Sequence, residues 1–296
     1  MDDALLSVRT SNSFNGSALG AAARIAAGDA LYAEMIASRQ QQLARPILVS
    51  LAGSQGSGKS TRVAAVRQRV EERGLRAAIL GLDDFYLTAT ERQVLATDIH
   101  PLLATRGVPG THNLDLLDAA IVALLDPAMA EHCIRTPAFD KLADDRLPLA
   151  GWHKQRGGCD VVLLEGWCVG ARPQCGEALT GPINVLEAQD DPDGSWRRYI
   201  NVQLGGSYAA LFARFDLRLM LRAPDFACVY RWRAEQEATL AAQPGALRPP
   251  MDEAALQHFI AHYERITRWM LEDEPADLNA CLDEDRAPVA WRFGPA

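Results

Sequence analysis

The feature that most constrains the fold is a glycine-rich loop between a strand-like and a helix-like segment. It reads Gly53-Ser-Gln-Gly-Ser-Gly58-Lys59-Ser60 and fits the pattern G-x-x-x-x-G-K-[S/T]. The residues before it, 47–52, form a short, partly β-branched apolar run that is typical of a buried strand. The residues after it, from Lys59 to Arg73, are predicted to be a helix that ends at Gly74. The sequence therefore predicts a strand, a tight loop and a helix in succession.

A loop of this kind can hold a polyphosphate. Its glycines let backbone N–H groups surround the phosphates, and the helix that follows adds the positive end of its dipole. Lys59 is expected to contact the β- and γ-phosphates, and the Ser60 hydroxyl to bind Mg²⁺. The candidate nucleotide-binding residues of this segment are Gly53, Ser54, Gln55, Gly56, Ser57, Gly58, Lys59, Ser60 and Thr61.

Apolar runs alternate with helical patterns along the rest of the chain. Further strands are predicted at Ala77–Leu82, Cys159–Leu164, Leu217–Leu221 and Ala276–Leu282. Helices are predicted within Ala18–Leu43, from Thr88 through Leu95, and at Leu114–Leu125, Pro224–Ala242 and Asp252–Leu271. Because each strand is almost entirely apolar, we expect an α/β fold with a parallel sheet covered by helices on both faces.

No convincing linker divides the chain. Residues 181–195 have the composition of a loop and are interpreted as an insertion. The polar stretch from Thr10 to Ser17 is predicted to be a loose arm. We therefore expect residues 45–296 to form one domain, with residues 1–44 contributing an arm and a helix that packs on its core.

Composition excludes several classes of protein. With 296 residues, 48% of them apolar and 23% charged, the chain has the composition of a globular protein. Its net charge of −8 supplies no global positive field for nucleic acid or an anionic membrane. We therefore expect neither of these partners, and we expect any anionic ligand to be held by a local site.

Two further properties bear on the compartment. No apolar run approaches the ~20 residues of a membrane span, and the start of the chain lacks the pattern of a secretory signal. The 6 cysteines include no C-x-x-C pair, which argues against a disulfide framework and against a zinc site. We expect a cytoplasmic protein with free thiols.

Carboxylates follow two of the predicted strands. Asp83 and Asp84 come at the end of the second strand, and Glu165 follows the apolar residues of the third. Ligands bind at the carboxyl edge of open α/β sheets, so these side chains should lie beside the glycine-rich loop. Either aspartate could bind Mg²⁺ or accept a proton from a hydroxyl, and the sequence does not separate them. Glu165 is expected to act on Mg²⁺, directly or through water.

Taken together, the motifs resemble those of D-glycerate 3-kinase and its relatives. The resemblance is more distant to uridine kinase, phosphoribulokinase and bacterial pantothenate kinase, and it covers the chain from about residue 45 to the end. The motifs are Gly53–Ser60, Leu82-Asp-Asp-Phe-Tyr86, Arg106-Gly-Val-Pro-Gly-Thr-His112, Phe139-Asp-Lys141, Glu165-Gly-Trp167 and Val229-Tyr-Arg-Trp-Arg233.

The resemblance implies a P-loop kinase with a three-layer fold and a five-stranded parallel core, in which the γ-phosphoryl of ATP passes to a small-molecule hydroxyl. It implies that Asp83 is the general base. It also implies a lid segment in which Arg231 binds ATP and Arg233 acts in catalysis with Lys59. The candidate acceptor-binding residues are Asp84, Tyr86, Arg106, His112, Asp140 and Lys141.

The acceptor-side segments depart from the family's pattern. Asn113 stands where relatives usually have aspartate, and Leu142 to Arg146 replace the expected serine and glycines. The leading hypothesis is a kinase of D-glycerate, with a hydroxy acid as its partner and a monomer or homodimer as its state. A nucleoside, pantothenate or a sugar phosphate remains open as the acceptor. A regulatory P-loop NTPase, in which hydrolysis switches contacts with another protein, is the alternative from a different class.

Overall fold

The computed structural model describes residues 20–241 and 251–294, so the arm expected at Thr10 to Ser17 lies outside the described residues. The helices are α1 (Ala21–Leu43), α2 (Lys59–Glu71), α3 (Ala89–Asp98), α4 (Leu114–Leu125), α5 (Val185–Asp190), α6 (Ser195–Gln203), α7 (Ala209–Phe212), α8 (Phe226–Ala241) and α9 (Glu253–Asp273). The strands are β1 (Ile47–Gly53), β2 (Ala77–Gly81), β3 (Cys133–Thr136), β4 (Phe139–Asp140), β5 (Asp145–Arg146), β6 (His153–Arg156), β7 (Val161–Gly166), β8 (Leu217–Arg222), β9 (Leu278–Leu282) and β10 (Pro288–Phe293). Within these ranges, no helix has the length and apolar character needed to cross a membrane.

The main sheet has six strands in the order β10-β9-β8-β1-β7-β2. Strand β1 pairs in parallel with β7 and β8, β2 pairs in parallel with β7, and β8 pairs in parallel with β9. The predicted α/β fold with five parallel strands is confirmed. The sixth strand, β10, is antiparallel to β9, and the sequence does not predict it. Its residues are mostly exposed or half-buried, and its short apolar stretch begins with Pro288, a residue that weakens a strand prediction.

Successive residues of β1 face opposite sides of the sheet. Ile47, Val49 and Leu51 lie in a core shared with residues of α1, α2 and α8. Leu48 and Ala52 lie in a second core shared with residues of α4 and α9. The alternation follows from the two-residue period of a strand, and both faces are buried because helices cover both. The result is the expected three-layer arrangement.

Helix α1 is one continuous helix that is bonded to the middle of the fold. The buried Asp29 carboxylate pairs with Arg62 of α2 at 3.0 Å, and the Tyr32 hydroxyl donates to the Met220 carbonyl of β8 at 2.8 Å. Burial raises the pKa of Asp29, and the charge of Arg62 partly opposes this. Removing one partner of such a pair leaves an uncompensated buried charge and costs roughly 3–5 kcal/mol.

Several predicted boundaries are shifted. The second strand ends at Gly81, and Leu82–Phe85 form a short 3₁₀ helix that carries both aspartates. The segment 181–195 is partly helical, since it contains α5. Glu187 of α5 is fully buried and pairs with Arg265 of α9 at 2.6 Å, which joins this segment to the core.

Two small antiparallel ribbons lie between α4 and β7, in a region for which the sequence predicts no strand. Strand β3 pairs with β6, and β4 pairs with β5. Gln155 of β6 donates its side-chain N–H to the Ile79 carbonyl at 2.9 Å, which ties the first ribbon to the edge of the main sheet. The second ribbon is a hairpin whose tip, residues 141–144, contacts Asp83 and Arg106.

Candidate active site

The glycine-rich loop joins β1 to α2 at the carboxyl edge of the parallel strands. Gly56 has a φ of +73°, and a Cβ there would lie 2.6 Å from the Cβ of Trp232, so the position requires glycine. The Ser57 hydroxyl donates to the Ser54 carbonyl at 2.8 Å and stabilises the turn. Because α2 begins at Lys59, the loop also carries the positive end of a helix dipole. This geometry favours an anion in the loop.

Ser60 and Glu165 meet at the end of the loop. The Ser60 hydroxyl donates to Glu165 Oε1 at 2.9 Å. The other carboxylate oxygen, Oε2, is buried and has no hydrogen-bond partner among the described residues. Burial raises the pKa of Glu165, and the positive charge of Lys59 opposes this. A hydroxyl and a carboxylate oxygen without a partner are the hard donors that Mg²⁺ takes alongside phosphate oxygens and water.

The Asp83 carboxylate interacts with two lysines, Lys141 and Lys59. Its Oδ1 accepts a hydrogen bond from the Tyr86 hydroxyl at 2.9 Å, and its Oδ2 lies 2.8 Å from Lys141 Nζ. Burial alone would raise the pKa of Asp83. The charges of Lys141 and Lys59, together with these hydrogen bonds, outweigh burial and hold the pKa below its ordinary range. Asp83 is therefore an ionised acceptor at neutral pH.

The structure separates the adjacent aspartates. Asp84 faces the ribbons: its Oδ1 accepts from the Phe139 N–H at 3.3 Å, and its Oδ2 lies 3.5 Å from His153 Nε2. Burial raises the pKa of Asp84, and the nearby His153 opposes this. Asp83 is thus the aspartate whose charge is coupled to the lysine of the loop, while Asp84 positions the start of β4.

Aromatic rings form the wall behind Asp83. The Tyr86 ring stacks on His112 with centroids 4.6 Å apart and meets Phe139 edge-on at 5.3 Å. The Arg106 guanidinium lies over the Phe139 ring at 5.4 Å from its centroid. The predicted acceptor residues Tyr86, Arg106 and His112 therefore belong to one connected cluster beside Asp83.

The loop that carries Arg106 is anchored from behind. The Trp167 indole N–H donates to the Gly107 carbonyl at 2.9 Å, and the Tyr263 hydroxyl donates to the Arg106 carbonyl at 3.3 Å. Trp167 follows directly after β7, so the strand that supplies Glu165 also holds the acceptor-side loop in place.

The hairpin tip orients both Lys141 and Arg106. Asp140 does not face the cluster: its Oδ1 accepts from the backbone N–H groups of Leu142 and Ala143, at 2.8 and 3.1 Å, and shapes the turn. Asp144 pairs with the Arg106 guanidinium, and Arg106 Nη2 also donates to the Lys141 carbonyl at 3.3 Å.

Asp144 is a functional neighbour that sequence reasoning misses, as is its second partner, Arg92. Arg92 is only 1% exposed and donates to the Leu87, Ala104 and Asp144 carbonyls. These bonds fix the hairpin against the loop that precedes α4. The left-handed backbone of Asp144, with φ of +54°, carries no clear sequence signal because aspartate tolerates that conformation without glycine.

The two arginines expected in the lid lie on different faces of α8, as their spacing predicts. Arg231 pairs with Glu284 at 3.0 Å, whereas Arg233 pairs with Glu237 and lies over the Phe259 ring at 5.1 Å. Among the described residues, neither guanidinium is paired with the glycine-rich loop, although the backbone of Trp232, which lies between them in sequence, contacts Gly56. Their proposed roles in binding ATP and in catalysis stay predictions.

Arg286, in the loop between β9 and β10, does reach the glycine-rich loop. Its Nε donates to the Gly56 carbonyl at 2.6 Å, and its guanidinium lies 5.2 Å from the centroid of the Trp232 ring. The Trp232 indole N–H donates to the Glu284 carbonyl at 2.7 Å. The resemblance extends to the segment Leu282–Arg286, but sequence reasoning assigns Arg286 no role because its partner is more than two hundred positions away along the chain.

No family model matches the chain. Relatives that are similar in sequence include two kinases. The uncharacterized kinase mug58 of Schizosaccharomyces pombe is 30% identical over 259 residues, which cover 83% of this chain and 91% of the relative. The chloroplastic D-glycerate 3-kinase of Arabidopsis thaliana is 28% identical over 261 residues, covering 82% of this chain and 54% of that longer protein.

A solved structure shares the fold. D-glycerate 3-kinase from Cryptococcus neoformans var. grubii superposes with a TM-score of 0.75 at 24% identity, covering 91% of this chain and 99% of the other. The chain therefore belongs to the family of glycerate 3-kinase-like P-loop kinases and is an ATP-dependent kinase with a small-molecule hydroxyl as acceptor.

Proposed function

We propose that this kinase transfers the γ-phosphoryl group of Mg·ATP to a hydroxyl of D-glycerate. The observation that carries the proposal is the position of Asp83. Its charge is coupled to Lys59 of the glycine-rich loop, and its carboxylate is hydrogen-bonded to Tyr86 of the aromatic cluster. The nucleotide side and the acceptor side of the reaction meet at this carboxylate.

The nucleotide side consists of Gly53 to Thr61. Its backbone N–H groups and Lys59 would bind the phosphates of ATP, and Ser60 and Glu165 would hold Mg²⁺. When bound, Mg²⁺ neutralises the negative charge that develops on the transferred phosphoryl group. The pairing of Ser60 with a half-satisfied Glu165 supports this assignment, because both groups already face each other.

Asp83 would accept a hydrogen bond from the attacking hydroxyl. Because its pKa lies below the ordinary range, Asp83 orients the hydroxyl more than it removes the proton early in the reaction. Most of the acceleration then comes from positioning and from electrostatic stabilisation by Lys59 and the metal ion.

Arg106 would bind the carboxylate of a hydroxy acid. A guanidinium presents several donors in one plane, and Asp144 together with the Lys141 carbonyl takes only part of them. His112 and Tyr86 would line the remaining wall of the acceptor site. Closure of α8 would bring Arg231 and Arg233 toward the phosphates, as the family's lid segment implies.

The experiment that tests this proposal is ADP release from Mg·ATP with a panel of acceptors. The panel contains D-glycerate, L-glycerate, uridine, pantothenate and ribulose 5-phosphate. We expect strong stimulation by D-glycerate, its loss in Lys59→Ala, and its retention in Lys154→Ala, since Lys154 is an exposed residue of β6. Stimulation by another compound would reassign the acceptor. Steady hydrolysis that no acceptor stimulates would indicate a regulatory NTPase instead.

We further propose that residues 45–296 form the kinase domain and that residues 1–44 are an extension whose helix packs on it. Support comes from the bonds that join α1 to the rest of the chain through Asp29, Tyr32 and Arg24, the last of which pairs with Asp283 at 2.7 Å. Free thiols at all 6 cysteines fit the proposed reducing cytoplasm.

A further inference from the structure

His112 is buried behind Asp83 with only one of its ring nitrogens bonded. It is 5% exposed, and its Nδ1 lies 2.6 Å from the Tyr208 hydroxyl oxygen. Its Nε2 is buried and has no hydrogen-bond partner among the described residues. An unbonded buried polar group costs roughly 1–3 kcal/mol, so a ligand atom that bonded to this nitrogen would relieve a cost that the described residues leave in place.

The other hydrogen bonds to the Tyr208 oxygen determine which ring nitrogen of His112 carries the proton. The Gly110 backbone N–H donates to the Tyr208 oxygen at 3.0 Å, and the backbone amide of His112 also faces that oxygen. With its oxygen occupied as an acceptor, the phenol places its single proton on His112 Nδ1. A ring that accepts at Nδ1 is protonated at Nε2. The unpartnered nitrogen is therefore a donor.

Tyr208 reaches this position through an irregular turn. Residues Leu204–Tyr208 form a π-helical turn, in which Gly206 departs from helical geometry with φ of −101° and ψ of −109°. Single π-helical turns of this kind occur frequently at functional sites. Gly110 has a φ of +100°, which aims its N–H at the tyrosine oxygen and disfavours other residues.

The imidazole ring of His112 faces the acceptor side of the site. His112 stacks on Tyr86, whose hydroxyl bonds to Asp83, and the charge of Asp83 acts on the imidazole. We propose that Tyr208 is a positioning residue that holds His112 as the Nε2–H tautomer, so that this neutral ring donates a hydrogen bond to an oxygen of the bound acceptor. The identity of the acceptor rests on the proposed function, whereas the tautomer does not.

The protonation state agrees with this geometry. Burial lowers the pKa of His112 to about 4, while Asp83 opposes the shift. The groups that face the ring are Asp83, Tyr86 and Tyr208, and the two tyrosines have pKa values above their ordinary range because of burial. At neutral pH the ring is uncharged, so it recognises an oxygen by a directed hydrogen bond rather than by charge.

The first experiment is ¹⁵N–¹H correlation spectroscopy of the whole chain with ¹⁵N-labelled histidine at pH 7. We expect His112 as an Nε2–H tautomer, and we expect Tyr208→Phe to convert it into a mixture of tautomers. Tyr199→Phe is the matched control, because Tyr199 also packs on Gly110 while the bond to His112 comes from Tyr208. An Nδ1–H tautomer, an imidazolium or a spectrum unchanged by Tyr208→Phe would overturn the proposal.

The second experiment measures the KM of the acceptor that stimulates ADP release. His112→Gln can place a side-chain N–H near the position of Nε2, whereas the shorter His112→Asn can accept from Tyr208 near the position of Nδ1 but brings no N–H to the position of Nε2. We expect His112→Asn and Tyr208→Phe to raise this KM about tenfold with the KM of ATP unchanged, and His112→Gln to raise it less. Equal effects of Gln and Asn would overturn the donor role. If no acceptor stimulates the enzyme, the proposed function fails, and the tautomer spectrum still decides the role of Tyr208.

Discussion

Lys141 Nζ lies 2.8 Å from Asp83 Oδ2, so the tip of a hairpin supplies a counter-charge to a half-buried carboxylate. The lysine side chain itself is 59% exposed. One of the two lysines that hold the pKa of Asp83 low therefore comes from a surface hairpin rather than from the glycine-rich loop. The pH dependence of the reaction can therefore be tested by changing Lys141, which lies outside the nucleotide-binding loop.

Lys141→Met is expected to move the acidic limb of the pH profile of kcat/KM toward higher pH. Without the lysine charge and its hydrogen bond, burial raises the pKa of Asp83, and the ionised form is lost at a higher pH. An opposite charge at this distance typically lowers the pKa of a carboxyl group by about 1 to 3 units, so the limb should move by a similar amount. Lys154→Met provides the control. An acidic limb that coincides with that of the wild type would show that Asp83 does not govern it.

Lys59→Ala should slow phosphoryl transfer more than Asp83→Asn does. Lys59 stabilises charge on the transferred group, an effect on the order of a thousandfold, whereas an orienting carboxylate accounts for about a hundredfold or less. Single-turnover rates at saturating ATP and acceptor measure this ranking. The reverse ranking would make Asp83 a general base whose proton transfer limits the reaction.

Arg106→Lys should raise the KM of a carboxylate-bearing acceptor about tenfold and leave the KM of ATP unchanged. The substitution keeps the charge but loses the planar set of donors that contacts Asp144 and that we propose to bind the carboxylate of the acceptor. Arg135→Lys, at an exposed position of β3, is the matched variant. A parallel rise in both KM values would instead indicate a general loss of structure.

The free energy of unfolding should fall as pH drops from 6.5 to 4. Burial lowers the pKa of His262 to about 4, so the unfolded chain takes up a proton at this residue before the folded chain does. His262→Gln should therefore reduce the slope of unfolding free energy against pH by up to one proton, about 1.4 kcal/mol per pH unit. Urea unfolding at several pH values measures the slope, with His132→Gln as an exposed control. Identical slopes for His262→Gln and the wild type would contradict this assignment.

The parts of the site that the sequence predicts are those that depend on local order. The loop from Gly53 to Ser60, and the carboxylates at the ends of β2 and β7, can be predicted because strand ends converge at one sheet edge. The five parallel strands can be predicted because each one is a nearly continuous apolar run.

The parts that sequence reasoning misses depend on contacts across the chain. Asp144 acquires its role from Arg92 and Arg106, which lie 52 and 38 positions away. Tyr208 meets His112 across 96 positions, through a π-helical turn for which Gly205-Gly206 is the only local signal. Strand β10 lies at the edge of the sheet, and the proline that begins its apolar stretch weakens the strand prediction. For Asp144 and Tyr208, the role of the residue depends on a partner that is distant in the sequence.

The close approach of Trp232 to Gly56 gives this kinase an optical reporter of its own nucleotide site. Indole emission responds to the polarity and hydrogen bonding around the ring. This ring contacts the Glu284 carbonyl and the Arg286 guanidinium, which in turn donates to the Gly56 carbonyl of the glycine-rich loop. Adding Mg·ATP should therefore change the tryptophan fluorescence of the chain, and Trp232→Phe should remove that change even though 5 of the 6 tryptophans remain. Nucleotide affinity could then be titrated without a label and without turnover.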